Sequence, residues 1–168
     1  GYFSRLNDER FDYELMDSLK SQSYRGPDHS GTWQSARIGL AHSRLAIIDL
    51  NENANQPMVD SNAAFCISYN GEVYNYKELR SDLEKQGHAF MTDSDTEVLL
   101  QAYKAWGTKA FERFNGMFAL AIYDIEKEEL VLARDRFGIK PLYHYVDDDH
   151  CFFASELGSI LSFPIKRT

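Results

Sequence analysis

The residues with the clearest chemical potential follow an apolar, strand-like run at residues 64–69. Asn70 supplies a side-chain amide with two N–H donors, and Gly71 has no side chain to keep a ligand away from its own N–H. Two such donors side by side predict an oxyanion hole, which stabilises the negative charge of a tetrahedral acyl-transfer intermediate. The alternative is that Asn-Gly forms a type I′ turn between two strands, but the sequence that follows predicts a helix.

Charged residues elsewhere in the chain suit a zwitterionic ligand. Glu72 only accepts hydrogen bonds, whereas the planar guanidinium of Arg44 can bind a carboxylate in bidentate fashion. Asp95 is a second anion, although in the first turn of a predicted helix the helix dipole favours a carboxylate whatever its function. One cation and two anions match the carboxylate and ammonium of an amino acid. Taken alone, Arg44 would more simply pair with Asp49 or another carboxylate.

Helices and strands are predicted from apolar periodicity and from breaker residues. The predicted helices are residues 8–22, 76–86, 94–107, 109–114 and 155–161. The predicted strands are residues 37–49 (with a turn), 64–69, 117–123, 130–133, 142–146 and 152–154, the last four forming an antiparallel meander. Residues 25–31 are rich in breakers and predict a loop. Ser94 and Glu97 have the spacing of a capping box that opens the helix at 94–107.

Composition indicates one compact domain over residues 1–168. The chain is 43% hydrophobic and contains 11 Phe and 10 Tyr to fill a core. Its net charge of −8 and pI near 5.1 argue against nucleic acid and anionic membranes as partners, because both would repel an acidic surface. No apolar run approaches the roughly 18 residues of a membrane-spanning helix.

Cysteine and histidine carry weaker signals. Cys66 and Cys151 are far apart and lie in apolar strands, so they predict inert core residues rather than a zinc site or a disulfide framework. This usage favours a reducing, cytoplasmic location. His29 and His42 could titrate near neutrality, but a lone histidine beside a strand is more often structural.

Six segments in this order resemble the class II glutamine amidotransferases, and within them the glutaminase half of the glutamine-hydrolysing asparagine synthetases. They are residues 1–3 (Gly-Tyr-Phe), 25–28 (Arg-Gly-Pro-Asp), 42–49 (His-Ser-Arg-Leu-Ala-Ile-Ile-Asp), 70–75 (Asn-Gly-Glu-Val-Tyr-Asn), 94–97 (Ser-Asp-Thr-Glu) and 134–143 (Arg-Asp-Arg-Phe-Gly-Ile-Lys-Pro-Leu-Tyr). The resemblance covers nearly the whole chain. It implies an α+β fold, a four-layer αββα sandwich of two antiparallel sheets flanked by helices, of the N-terminal-nucleophile hydrolase type.

The resemblance also implies an activity, the hydrolysis of glutamine to glutamate and ammonia. Asn70 and Gly71 would hold the oxyanion, and Arg44 would bind the glutamine carboxylate. The glutamine ammonium would be bound by Glu72, Asp95 and the main-chain carbonyls around Ile47 and Ile48. Arg25 and Asp28 are interpreted as residues that hold their loop together.

The main departure from the family pattern is the nucleophile. In the family, a cysteine with a free α-amino group begins a Cys-Gly-Ile-Ala stretch directly before the Gly-Tyr-Phe that is matched here by residues 1–3. That amino group has an unperturbed pKa of about 7.7–8.0, which suits a general base near neutral pH. The chain that starts at Gly1 is therefore expected to have the pocket without the nucleophile, and to be inactive alone.

The expected context is a larger enzyme. Ammonia would pass to a downstream synthetase domain that uses ATP and Mg to amidate aspartate or a related carboxylate, and a homodimer is compatible with this arrangement. We expect no cofactor and no metal in the present domain. Two alternatives stay open at this point: the glutaminase domain of another amidotransferase, of the amino-sugar or purine branch, and a non-catalytic glutamine-binding module.

Overall fold

A computed structural model describes residues 1–6, 11–26, 28–44 and 54–166. Its strands are β1 (Tyr2–Ser4), β2 (His29–Ser35), β3 (Ile38–Arg44), β4 (Met58–Val59), β5 (Phe65–Val73), β6 (Gly116–Asp124), β7 (Glu129–Arg134), β8 (Tyr143–Val146) and β9 (His150–Ala154). Its α-helices are α1 (Asp12–Ser21), α2 (Tyr76–Lys85), α3 (Asp95–Trp106) and α4 (Leu157–Ile160). Short 3₁₀ segments are Ser23–Arg25 and Gly107–Arg113.

The strands form two antiparallel sheets. The first sheet has the order β2-β3-β1-β9-β8, and the second has the order β4-β5-β6-β7. Helices α1 and α4 cover the outer face of the first sheet, where Phe11, Leu15 and Ile160 pack with Tyr2 and Phe152. Helices α2 and α3 cover the outer face of the second sheet, where an apolar cluster joins them to β5 and β6. The predicted four-layer αββα sandwich is thus confirmed.

The inner faces of the two sheets meet in a third apolar cluster. Ile38 and Leu40 of β3 lie against Cys66 of β5 and Tyr123 of β6. Strand β6 is covered by helices on one face and by the first sheet on the other, so nearly all of its side chains are buried. That position explains its almost unbroken apolar sequence, which is typical of a strand buried on both faces.

The structure corrects several predicted elements. The predicted four-strand meander is wrong, because β6 and β7 pair in the second sheet whereas β8 and β9 pair in the first. Residues 29–31, predicted as loop, belong to β2, whose register places His29 opposite Arg44. Strand β2 is an edge strand with many exposed side chains, so it lacks the apolar run that would have revealed it.

Other boundaries also differ from the prediction. Strands β1 and β4 are only three and two residues long, and neither was predicted. The predicted helix at 109–114 is the 3₁₀ segment Gly107–Arg113. Residues 45–49 of the predicted strand at 37–49 lie outside the described part of the chain. None of the helices that the structure describes is long and apolar enough to cross a membrane.

Candidate active site

A cavity of about 350 Å³ opens between the two sheets where β3 ends and where α3 begins. The residues that line it come from positions that are distant in sequence. The predicted site residues that line it are Arg44, Asn70, Gly71, Glu72 and Asp95. Ile47 and Ile48, whose carbonyls were also predicted to bind the ligand, lie outside the described residues.

Strand β5 continues through the Asn70-Gly71 pair instead of turning there. Gly71 lies opposite Phe118 of β6, so the type I′ turn alternative is wrong. A Cβ atom on Gly71 would lie 2.2 Å from the carbonyl oxygen of Met117 and 2.7 Å from the Cα of Phe118. The neighbouring strand alone therefore requires a glycine here, which is a different reason from the close approach of a ligand that the sequence suggested.

The Gly71 N–H points toward the cavity, as the alternation of strand hydrogen bonds shows. On the same edge of β5, the Tyr69 N–H donates to Gln56 Oε1 at 2.6 Å and the Val73 N–H approaches Asp95 Oδ2 at 3.5 Å. Every second N–H of a strand points to the same side, so the Gly71 N–H lies between these two. Among the described residues it has no acceptor, and it is therefore available to a ligand.

The side chains of Asn70 and Glu72 face the first sheet. They lie on the same face of β5 as Ser68, whose hydroxyl is 3.3 Å from Nδ1 of His42 on β3. Asn70 is half-buried and Glu72 is exposed. The Asn70 amide and the Gly71 N–H thus approach the cavity from adjacent positions, as an oxyanion hole requires.

Asp95 is a buried carboxylate at the start of α3. It is 5% exposed and accepts a hydrogen bond from the Tyr69 hydroxyl at 2.9 Å. Burial raises the pKa of Asp95 above its ordinary value, and the negative charge of Glu72 adds to this effect. Within the described ranges no cation pairs with Asp95. A carboxylate in this position favours a bound cation, because an unpaired buried charge is costly.

The predicted capping box at the start of α3 is only half correct. Ser94 is the N-cap, and its hydroxyl accepts the N–H of Thr96 at 3.1 Å. Glu97 does not return to the Ser94 N–H. Its carboxylate instead accepts the N–H groups of Met91 and Thr92 and the Thr92 hydroxyl, because the chain before the helix folds over its first turn. Glu97 therefore fixes the segment that leads into Asp95.

Arg44 ends β3 at the mouth of the cavity. Its Nη1 donates to Asn55 Oδ1 at 2.7 Å, and Asp49, the alternative partner considered from the sequence, lies outside the described residues. The loop that precedes β2 is seated on this strand end. The Asp28 N–H donates to the Arg44 carbonyl at 3.1 Å, and a Cβ on Gly26 would lie 2.4 Å from the Ser43 carbonyl. The backbone of Gly26 and Asp28 thus packs against the end of β3.

His42 also lines the cavity, two residues before Arg44 and on the same face of β3. Burial, with the positive charge of Arg44 adding to it, lowers the pKa of His42 to about 4. The imidazole is therefore neutral at physiological pH and serves as a hydrogen-bonding group. Sequence reasoning interpreted this residue as structural, and no spacing signal placed it beside the ligand residues.

Other lining residues were missed because their neighbours are not local in sequence. Gln56, Ser68 and Tyr69 line the cavity from the second sheet and the segment before it. Lys140 and Leu142 line it from the loop after β7. The only available signal for the last two was their place in the segment 134–143, to which no role had been assigned.

A single carboxylate organises that loop. Asp135 accepts the N–H groups of Phe118, Phe137, Ile139 and Lys140 at 2.9–3.2 Å. Although burial opposes it, these bonds hold the pKa of Asp135 below its ordinary value. Asp135 thus fixes the backbone from which the Lys140 side chain extends.

Neither cysteine lines this cavity. Cys66 is fully buried, and burial raises the pKa of its thiol to about 12. Cys151 is half-buried, and burial also raises its pKa. Neither thiol ionises readily, which agrees with the prediction that both are inert core residues.

The four layers thus enclose a cavity lined by an arginine, two adjacent amide donors and a buried carboxylate. The chain belongs to the glutamine amidotransferase domain family, whose sequence profile matches residues 1–167. It is 45% identical over 138 residues to asparagine synthetase [glutamine-hydrolyzing] 1 of Bacillus subtilis, covering 82% of this chain and 22% of that protein.

Two further proteins extend the comparison. Asparagine synthetase B [glutamine-hydrolyzing] of Escherichia coli is 39% identical over 156 residues, which is 92% of this chain and 27% of that protein. The chain therefore spans about a quarter of the length of these relatives. Among solved structures, glutamine phosphoribosylpyrophosphate amidotransferase from B. subtilis, complexed with ADP and GMP, superposes with a TM-score of 0.74 at 22% identity, covering 96% of this chain and 42% of that one. This likeness supports the fold.

Proposed function

We propose that this domain binds glutamine and, in the protein that carries an N-terminal cysteine, hydrolyses it to glutamate and ammonia. The observation that carries the proposal is the buried Asp95 carboxylate, which has no cationic partner among the described residues and opens into the cavity that Arg44 also lines. Opposite charges at two points of a cavity of about 350 Å³ suit a zwitterion of amino-acid size.

The ligand would lie with each polar group against a complementary one. The guanidinium of Arg44 would bind the α-carboxylate, and the carboxylates of Asp95 and Glu72 would bind the ammonium, with the carbonyls of Ile47 and Ile48 as further acceptors. The side-chain carbonyl would then point at Asn70 and Gly71. The N–H of Gly71, which points toward the cavity, supports this last contact.

The register of β1 supports an upstream nucleophile. Tyr2 lies opposite Gly39 in an antiparallel pair with β3, so Gly1 lies opposite Leu40. A residue four positions before Gly1, on a continuation of β1, would lie opposite Arg44. Its side chain would face the second sheet, as the Phe3 side chain does, because side chains alternate along a strand. A cysteine at that position would face the oxyanion donors.

The proposed reaction passes through a thioester. The cysteine thiolate attacks the side-chain carbonyl carbon of glutamine, and Asn70 and Gly71 stabilise the resulting oxyanion. The C–N bond then breaks, and the leaving nitrogen takes a proton from the α-ammonium of the cysteine and departs as ammonia. Water attacks the glutamyl thioester, which releases glutamate and restores the thiol.

The fate of the ammonia is the wider part of the proposal. Because relatives such as the B. subtilis and E. coli asparagine synthetases are about four times as long as this chain, we propose a downstream domain that uses ATP and Mg to amidate aspartate or a related carboxylate. The free thiols of Cys66 and Cys151 suit a reducing cytoplasm.

The test uses the naturally encoded protein, with its N-terminal residue established by intact mass and terminal sequencing. Glutamate release by a protein that begins with cysteine is the expected result. Arg44→Ala should raise KM for glutamine strongly, and Asn70→Ala should lower kcat on the order of 10²–10³-fold, as for the loss of one oxyanion donor. Asn62→Ala, at an exposed turn, is the matched control and should change neither constant. A normal KM in Arg44→Ala would refute its role.

A further inference from the structure

We infer that Tyr69 is a positioning residue for the glutamine site, because its hydroxyl holds the Asp95 carboxylate in the place that receives the substrate ammonium. The inference rests on the function proposed above and adds a determinant of the pH at which the ligand binds. It assigns a function to a buried tyrosine whose ring would otherwise belong only to the core.

The geometry directs the Tyr69 hydroxyl at a single oxygen. Tyr69 is 3% exposed, and its ring packs in the cluster between β5 and the helices α2 and α3. Its hydroxyl donates to Asp95 Oδ2 at 2.9 Å, and the Val73 N–H approaches the same atom at 3.5 Å. Both contacts use Oδ2, so Oδ1 keeps acceptor capacity for a cation in the cavity.

Tyr69 is also held at its backbone. Its N–H donates to Gln56 Oε1 at 2.6 Å, and Gln56 Nε2 donates to the Thr96 hydroxyl at 3.2 Å. Gln56 is buried. Through these two hydrogen bonds it joins β5 directly to Thr96, the residue that follows Asp95. With the strand and the helix start fixed to each other, the hydroxyl is held at hydrogen-bonding distance from the carboxylate without further adjustment.

Electrostatics give this contact a measurable consequence. The groups that act on Asp95 are Tyr69, Glu72 and the Val73 N–H from β5, and the N–H of Thr96 on its own helix. Burial and the charge of Glu72 raise the pKa of Asp95, whereas the Tyr69 hydroxyl and the backbone N–H groups oppose the rise. Burial also raises the pKa of Tyr69, so the phenol stays protonated and remains a donor. Removal of the hydroxyl should therefore raise the pKa of Asp95 further.

The experiment is calorimetric titration of glutamine into this chain and into Tyr69→Phe, from pH 5 to pH 8. Binding does not need the nucleophile, so the chain is tested as it stands. We expect Kd to change less than about 3-fold at pH 8, the end of this range that favours the carboxylate form in both proteins. The pH below which binding weakens should move upward in the variant, since Asp95 loses a hydrogen bond that favours its charged form. The difference in Kd should then exceed about 10-fold at the acid end.

Tyr103→Phe is the matched control, because it removes a hydroxyl from the same helix layer at a residue that does not line the cavity. Its binding profile should follow that of the unmodified chain. If the unmodified chain binds glutamine and Tyr69→Phe gives the same pH profile, the positioning inference is wrong while the proposed function stands. If the unmodified chain binds no glutamine at any pH, the proposed function fails, and this inference fails with it.

Discussion

His42 Nδ1 lies 3.3 Å from the hydroxyl of Ser68, and this contact joins the inner faces of the two sheets within the cavity. Next to it, toward the core, apolar side chains of the two sheets pack together. The contact therefore marks the boundary between an apolar core and a polar site. An imidazole at that boundary can remain neutral and still satisfy a hydroxyl.

The first prediction concerns the stability that this neutral imidazole makes dependent on pH. The unfolded chain takes up a proton at His42 near pH 6.5, whereas the folded protein resists protonation until about pH 4. The contribution of His42 to the free energy of unfolding is therefore fully present above pH 6.5. It decreases by about 2–3 kcal/mol as the pH drops toward 4. Glutamine at position 42 cannot titrate. Between pH 7.5 and pH 4.5, the free energy of unfolding of His42→Gln, measured with urea, should therefore fall by that much less than the free energy of unfolding of the unmodified protein.

The control for this measurement is His144→Gln, at an exposed histidine. Its pH dependence should match that of the unmodified protein within about 0.5 kcal/mol, since a substitution at an exposed side chain leaves the buried His42 site unchanged. An equal drop in His42→Gln and His144→Gln would contradict the buried, neutral state of His42.

A second prediction concerns Gly71, one of the two proposed oxyanion donors. Gly71→Ala should destabilise the fold by about 1–3 kcal/mol or more, because its new Cβ would collide with the backbone of β6. Gly158→Ala, on α4, is the matched change in open space, and it should be neutral or stabilising by up to about 1 kcal/mol. Thermal and urea unfolding distinguish the two. A stable Gly71→Ala protein would show that β6 can move away from this position.

The sequence was sufficient to predict the elements with strong local signals. Helices α2 and α3 were predicted close to their observed bounds, since both have a regular apolar face and end at or near a glycine. Strands β5 and β6 were recognised from their apolar runs. The five site residues that line the cavity were also predicted. Arg44, Glu72 and Asp95 match the charges of an amino acid, Asn70 and Gly71 supply adjacent amide donors, and all five lie in segments that resemble the family.

What could not be predicted depends on contacts between distant segments. Strand β2 has no apolar run, and its existence follows from pairing with β3. The last four strands are divided between two sheets because the loop that follows Arg134 crosses from the second sheet to the first. Alternation of apolar residues shows which face of a strand is buried, but not which sheet the strand joins. Gln56 received no role, because its two partners lie 13 and 40 residues away in sequence.

A third prediction concerns an ion pair that secures the hairpin leading into β5. Lys104 Nζ lies 2.6 Å from Asp60 Oδ2, and the Asp60 side chain is completely buried. Lys104→Met would leave that carboxylate without its cation and should lower the free energy of unfolding by about 2–4 kcal/mol. Lys85→Met removes an exposed pair with Asp82 and should cost less than about 1 kcal/mol. Similar losses in the two variants, measured by urea unfolding, would contradict the difference in burial.

The last prediction separates stability from ligand binding at Asp95. Asp95→Asn keeps an acceptor oxygen for the Tyr69 hydroxyl but removes a buried charge that has no cationic partner in the described part of the protein. The fold should be as stable as before, or more stable by about 1 kcal/mol, because the cost of burying that charge disappears. Glutamine binding should nevertheless weaken by about 100-fold, since the ammonium loses its buried counter-charge. Urea unfolding and calorimetry on the same preparation measure both quantities. Asp93→Asn, at a 92% exposed side chain, is the control and should change neither stability nor glutamine affinity. If Asp95→Asn is destabilised and yet binds glutamine normally, Asp95 is a structural carboxylate and does not bind the ammonium.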